Sequence, residues 1–157
     1  MQAVGFIIDV NRKNFPKIKQ EIVKSMKSLK YGDVGYLFNP SVLEEETYPI
    51  AKIVSLMQKY AYEKFVLWEG VAFVSLVLSK DTSYHNKIIA ITDSEIKFFE
   101  KPIELVSKLN LEVELNFISV NPLVARDCVK TIDIKELSET IEQILETEKN
   151  GNDRQNT

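Results

Sequence analysis

The chain has 157 residues, of which 45% are hydrophobic and 27% charged, and its formal net charge is −3. This composition is typical of one globular domain, and the slightly acidic balance gives no electrostatic case for nucleic-acid binding. The single cysteine, Cys128, excludes an internal disulfide and a CxxC metal site. We expect a cytoplasmic protein without signal peptide or membrane span, since Glu69 and Gly70 interrupt the longest apolar run.

The amino-terminal part predicts a strand, a helix and a second strand. Residues 3–10 (AVGFIIDV) form an apolar run that ends around Asp9. Asn14 can cap a following helix, with Pro16 in its first turn. The outer face of this helix is rich in lysine, which predicts a solvated face or a docking face for an acidic partner. Residues 34–38 (VGYLF) are the second predicted strand.

The middle of the chain is less clearly patterned. Residues 40–47 predict an acidic loop, and an apolar stripe at helical spacing predicts a helix from Thr47 to about Glu63. The segment 65–78 (FVLWEGVAFVSLVL) fits a hairpin of two strands, because β-branched and aromatic residues are dense. It fits equally well a loop followed by a fully buried helix, and periodicity does not decide between the two.

The strand predicted at 87–94 (KIIAITDS) organises the rest of the chain. Its residues from Ile88 to Ile91 are apolar without alternation, which is typical of a central strand in a parallel sheet covered by helices. Asp93 follows at the carboxyl end, where open α/β sheets place their ligands. If the first strand is its parallel neighbour, Asp9 and Asp93 lie in one cleft.

The remaining signals predict a helix at 102–109, a strand near an edge at 113–120, a short strand within 128–134 and a final helix beginning near Asp133. We expect one domain over residues 1–146 and a disordered polar tail over 147–157. Alternating strands and helices predict a three-layer, doubly wound α/β fold, with a mainly parallel sheet and helices on both faces.

The order of these motifs resembles a von Willebrand factor type A (VWA) domain. IIDVNRK stands where that family has an Asp-x-Ser-x-Ser signature, and KIIAITDS resembles its fourth strand, which usually ends in Thr-Asp-Gly. GDVGYLF resembles the second strand and LEVELNFISV the fifth. The resemblance covers nearly the whole chain and implies a Rossmann-like α/β domain.

The resemblance also implies a divalent-cation site, usually for magnesium, which this chain matches only in part. Asp9 and Asp93 match the two family aspartates, and Asn11 stands at the first serine, where its amide oxygen can serve as a ligand. Lys13 stands at the second serine, where its positive charge opposes a cation. The family's loop threonine is expected near Leu67 to Gly70, where Glu69 is the nearest substitute.

Two classes of function follow from these residues. The first is a non-enzymatic module that binds another protein at the carboxyl end of the sheet, without a tightly bound metal. Its predicted partner-binding residues are Asp9, Asn11, Lys13, Trp68, Glu69 and Asp93, with Trp68 in a loop bordering the cleft. The second is a small magnesium-dependent hydrolase that uses Asp9 and Asp93 as paired carboxylates. His85, in a polar loop, is expected to be a surface residue rather than a general base.

Overall fold

The computed structural model describes residues 1–11, 13–30, 33–38, 67–94, 98–121 and 129–155. Its strands are β1 (Gln2–Asp9), β2 (Val34–Phe38), β3 (His85–Thr92), β4 (Val113–Ser119) and β5 (Val129–Thr131). Its helices are α1 (Phe15–Ser25), α2 (Leu67–Leu78), α3 (Glu100–Lys108) and α4 (Leu137–Gln155). Short 3-10 turns follow α1 and precede α4. The acidic loop and the helix predicted between residues 40 and 63 lie outside the described residues.

The five strands form one parallel sheet in the order β2-β1-β3-β4-β5. β1 and β3 are adjacent and central, in a register that pairs Gly5 with Ile88 and Asp9 with Thr92. This confirms the prediction drawn from their apolar faces. β4 lies between β3 and β5, so the strand predicted near an edge is second from it.

Helices cover both faces of the sheet, which confirms the predicted three-layer α/β architecture. On one face α1 and α4 pack over a core that includes Phe6, Ile8 and Ile89. On the other face α2 packs over a core that includes Ile7, Ala90 and Phe117, and α3 packs beside α2. The side chains of β1 and β3 alternate between these two cores, which explains why neither strand shows a polar face.

The segment 65–78, ambiguous in sequence, is helical from Leu67 to Leu78, so the hairpin alternative is wrong. A close approach of this helix to the sheet depends on Gly5. A Cβ atom at Gly5 would lie 3.0 Å from Val74 Cγ1 and 3.3 Å from Leu78 Cδ1. The missing side chain therefore makes room for a helix that buries Val71, Val74 and Leu78 against β1 and β3.

Two further placements differ from the sequence prediction. Trp68 belongs to the first turn of α2 rather than to a loop. His85 is the first residue of β3 rather than part of a loop, although its side chain is exposed as expected. The backbone of α4 is helical to Gln155. In the described part of the chain, no helix is long and apolar enough to cross a membrane.

Candidate binding surface at the carboxyl end of the sheet

Asp9 and Asp93 reach the same end of the sheet because β1 and β3 are parallel neighbours. Asp9 pairs with Thr92 in the register of the two strands, so Asp93 follows one position beyond that pair. Both aspartates are partly buried. The strand order therefore brings both residues to one end of the sheet, but the alternation of side chains directs Asp9 toward the face covered by α2 and Asp93 toward the face covered by α1.

The carboxylate of Asp93 connects the end of β3 to the start of α1. Its Oδ2 accepts hydrogen bonds from the backbone N–H of Asn11 at 3.0 Å and from Asn14 Nδ2 at 3.1 Å. Its Oδ1 accepts a hydrogen bond from Ser94 Oγ at 3.3 Å. These hydrogen bonds tie Asn11 and Asn14, on the connection between β1 and α1, to the end of β3.

The side chains of Asn11 and Asn14 make different contacts from those that the sequence predicts, namely a metal ligand at Asn11 and a helix cap at Asn14. Asn14 occupies the N-cap position of α1 without a side-chain capping bond, and its amide nitrogen donates to Asp93. Asn11, predicted as a metal ligand, uses its Oδ1 to accept the backbone N–H of Asn14 at 3.0 Å. Asn14 is thus a site residue that was missed, since its sequence context indicated only a helix cap.

The end of β4 adds a further polar connection that the sequence prediction missed. Asn121 Nδ2 donates to the carbonyl oxygen of Asp93 at 3.1 Å, and the backbone N–H of Val120 donates to the carbonyl oxygen of Thr92 at 2.9 Å. The buried Ser119 Oγ accepts the backbone N–H of Asn121 at 3.2 Å. Three chain segments are therefore held together around Asp93. In the sequence, the signal that could have identified Asn121 was an asparagine directly after the end of a predicted strand.

Helices α2 and α3 also begin at this end of the sheet. Each precedes a strand that starts at the opposite end, so each must run antiparallel to the strands. Trp68, partly buried, and Glu69, exposed, lie in the first turn of α2. Among the described residues, the hydrogen bonds of Asp93 include neither of these two side chains.

Lys13 lies next to the Asp93 hydrogen bonds without joining them. Its side chain is exposed, and within the described residues no ion pair links it to Asp93. We use the name carboxyl-end surface for the residues that the fold places here: Asp9, Asn11, Lys13, Asn14, Trp68, Glu69, Asp93 and Asn121.

The donor set of this surface fits a tightly bound magnesium ion poorly. Magnesium favours near-octahedral coordination by oxygen atoms. Asp93 Oδ2 already accepts two N–H groups, and Asn11 Oδ1 accepts a third. Over the described residues, no group of three or more His, Cys, Asp or Glu side chains is placed to hold a metal ion. The surface instead offers fixed hydrogen-bonding groups together with the exposed ammonium of Lys13.

No protein-family model matches this chain, and no curated protein matches it. The strand order β2-β1-β3-β4-β5 is that of a general doubly wound sheet, which hosts many unrelated functions. The fold therefore does not distinguish a VWA domain from other α/β families, and function has to be argued from the residues at the carboxyl end.

Proposed function

We propose that this chain is a VWA-like protein-interaction module that binds a partner protein at its carboxyl-end surface, without a tightly bound metal. The supporting observation is how Asp93 is used. Its carboxylate accepts hydrogen bonds from Asn11 and Asn14 and thereby orders the loop between β1 and α1. A surface ordered before binding loses less conformational entropy when a partner docks, which favours recognition.

The hydrolase alternative needs a third oxygen ligand or a general base directed at Asp9 and Asp93. The described residues supply no third acidic, histidine or cysteine side chain placed with these two. Lys13, which stands in the sequence where the VWA family has its second serine, supplies an ammonium and no oxygen ligand. These features support binding rather than metal-assisted hydrolysis, so we do not propose a catalytic role.

The test begins with affinity capture on the immobilised chain and continues with the captured protein in purified form. Lys13→Glu is the decisive variant, because Lys13 is exposed at the carboxyl-end surface and makes no ion pair or hydrogen bond of its side chain with the described residues. Its matched control is Lys108→Glu, the same charge reversal at the exposed last residue of α3, at the opposite end of the sheet.

We expect Lys13→Glu to slow association and to change its dependence on salt, because charges at the rim of an interface act mainly on the association rate. Lys108→Glu should behave like the unmodified protein in the same surface plasmon resonance measurement. Equal association rates for all three proteins, or a defect confined to Lys108→Glu, would remove the carboxyl-end surface as the binding site.

A further inference from the structure

Phe98, just before α3, holds an aromatic ring in solvent on an unusual backbone. Its side chain is 50% exposed and its φ angle is 59°. The next residue, Phe99, points the opposite way and packs edge-on against Phe117, with 6.2 Å between ring centroids. Phe99 thus fixes α3 to the core, whereas the ring of Phe98 is exposed to solvent.

The backbone of Phe98 is unfavourable for an aromatic residue. The left-handed region costs a residue with a Cβ atom about 1–2 kcal/mol, and glycine or asparagine adopts it more readily. Asn110, after α3, is the other non-glycine residue with positive φ in the described part of the chain, and it follows that preference. The turn at Phe98 therefore gains nothing from phenylalanine, which directs attention to the exposed ring itself.

Lys101 lies between this ring and the chain's single tryptophan. Its Nζ is 4.5 Å from the ring centroid of Trp68 and 4.8 Å from that of Phe98. These cation–π contacts orient the ammonium, while the Lys101 side chain remains exposed. Across the described residues, no carboxylate lies within salt-bridge distance of Lys101. The group combines an oriented positive charge with exposed apolar surface.

From these contacts we infer that Phe98, Lys101 and Trp68 form the anchor of the carboxyl-end surface, and that it binds an acidic, apolar segment of a partner protein. In the complex a partner carboxylate pairs with Lys101, and an adjacent apolar side chain covers the ring of Phe98. This inference rests on the proposed function, because all three residues lie where α2 and α3 begin, at the carboxyl end.

The charges around this anchor favour a peptide carboxylate over a nucleic-acid phosphate. Glu69 and Glu100 are both exposed next to the anchor residues in sequence, and the whole chain carries a net charge of −3. A polyanion would meet these carboxylates as well as the ammonium of Lys101. A short segment with one acidic group and one apolar side chain avoids that repulsion.

The test is a selection of random twelve-residue peptides displayed on phage against the immobilised full-length chain. We expect enriched peptides to place Asp or Glu beside an aromatic or large aliphatic residue. Synthetic versions are then titrated while the fluorescence of Trp68 is recorded, which reports on the anchor directly because it is the chain's only tryptophan.

Three variants assign the binding. Phe98→Gly removes the ring and suits the positive φ, so the protein should fold at least as well while binding weakens about tenfold or more. Lys101→Glu should weaken binding by about the same factor or more, because it repels the peptide carboxylate. Lys108→Glu makes the same charge change at the other end of α3 and should leave affinity unchanged.

The outcomes separate this anchor from the broader proposal. Peptides that lose affinity with Lys13→Glu but not with Phe98→Gly or Lys101→Glu would overturn the anchor and leave the carboxyl-end surface as the binding site. Three other outcomes would also overturn the anchor: enriched peptides that lack acidic residues, peptides whose affinity none of these variants changes, and a failure to enrich any peptide. Insensitivity to Lys13→Glu as well would count against the carboxyl-end surface.

Discussion

The two ends of the parallel sheet use the same types of polar residue in opposite ways. At the amino end, Lys87 is 1% exposed and donates from Nζ to the carbonyl oxygen of Ile144 in α4 at 2.6 Å. Gln2, also buried, donates to the next carbonyl, that of Leu145, at 3.4 Å. At the carboxyl end, Asn11 and Lys13 are exposed, and hydrogen bonds order the loop without burying it.

This difference shows that a polar residue at a strand end does not by itself indicate a functional site. At the amino end, Lys87 and Gln2 each donate to a backbone carbonyl of α4 and so attach α4 to the sheet; Lys87 also lies 4.0 Å from Glu114, and Gln2 also donates to Asp33 at 3.4 Å. At the carboxyl end, bonds among side chains and loops leave polar and charged atoms facing solvent. If this distinction is correct, substitutions should affect mainly stability at one end and mainly binding at the other.

The largest effect is expected for Lys87→Ala at the amino end. This change removes a charge-assisted hydrogen bond to Ile144 and leaves a cavity where the lysine stem was packed. We expect the free energy of unfolding to fall by about 3 kcal/mol, measured by urea denaturation.

Lys87→Met is the matched control, because it keeps most of the stem and removes only the ammonium. It should cost about 1–2 kcal/mol, the contribution of the lost hydrogen bond to Ile144 together with the 4.0 Å ion pair to Glu114. A loss below about 0.5 kcal/mol for Lys87→Ala would place it among ordinary surface substitutions and would break the comparison between the two ends.

A smaller loss of stability is expected for Asp93→Ala at the carboxyl end. The variant leaves the N–H of Asn11 and the amide of Asn14 without their acceptor, but both donors are near solvent and water can replace it. We expect a loss of about 1 kcal/mol in the same denaturation experiment. Asp93→Asn keeps one acceptor oxygen and should lose less stability than Asp93→Ala. A loss of stability in Asp93→Ala equal to that of Lys87→Ala would show that both ends are primarily structural.

The central part of the fold could be predicted from sequence because burial on both faces leaves a direct mark. Residues 88–91 have no polar alternation, and neither does most of β1, so both strands were assigned to the middle of a parallel sheet. The segment of α2 has the same lack of polarity for a different reason. It fills the space above Gly5, and a helix apolar on most sides does not show the 3.6-residue period that identifies surface helices.

The candidate site was only partly predictable, because strand order and side-chain direction carry different information. Parallel pairing is enough to bring Asp9 and Asp93 to one end of the sheet. The bond from Asn14 to Asp93 depends instead on the conformation of a loop, and in sequence Asn14 resembles an ordinary helix cap. Phe98 was missed for a similar reason, since a positive φ is not expected for phenylalanine.

The ion pair between Glu21 and Lys24 on α1, away from both ends of the sheet, gives a reference for ordinary surface electrostatics. Burial tends to raise the pKa of Glu21, but hydrogen bonds from Lys24 and Ser138 and the charge of Lys24 outweigh it, so that the pKa is lowered below 4.5. A lowered folded-state pKa stabilises the protein above the unfolded value, and this contribution is lost as pH falls through the folded value. Glu21→Gln should therefore cost roughly 0.3 kcal/mol at pH 7.

The difference between Glu21→Gln and the unmodified protein should shrink as the pH falls below 4.5 and disappear below the lowered folded-state pKa, where the carboxyl group is protonated in both folded and unfolded chains. Melting temperatures compared between pH 7 and pH 3 check this. A difference that stays constant over this range would mean that Glu21 acts through packing rather than charge, and it could not then serve as the reference.

The smallest effect, a change in melting temperature close to zero, is expected when magnesium is added to the unmodified protein. A cation that binds only the folded state at a hundredfold excess over its dissociation constant stabilises it by about 2.7 kcal/mol. For a domain of this size that corresponds to a rise of roughly 5–10 °C. We expect a rise below about 1 °C at millimolar magnesium, because N–H donors already occupy Asp93 Oδ2 and Asn11 Oδ1. Sodium chloride at the same ionic strength controls for general screening. A rise of several degrees that persists against this control and vanishes in Asp93→Ala would make the carboxyl end a metal site and would reverse its assignment as a metal-free binding surface.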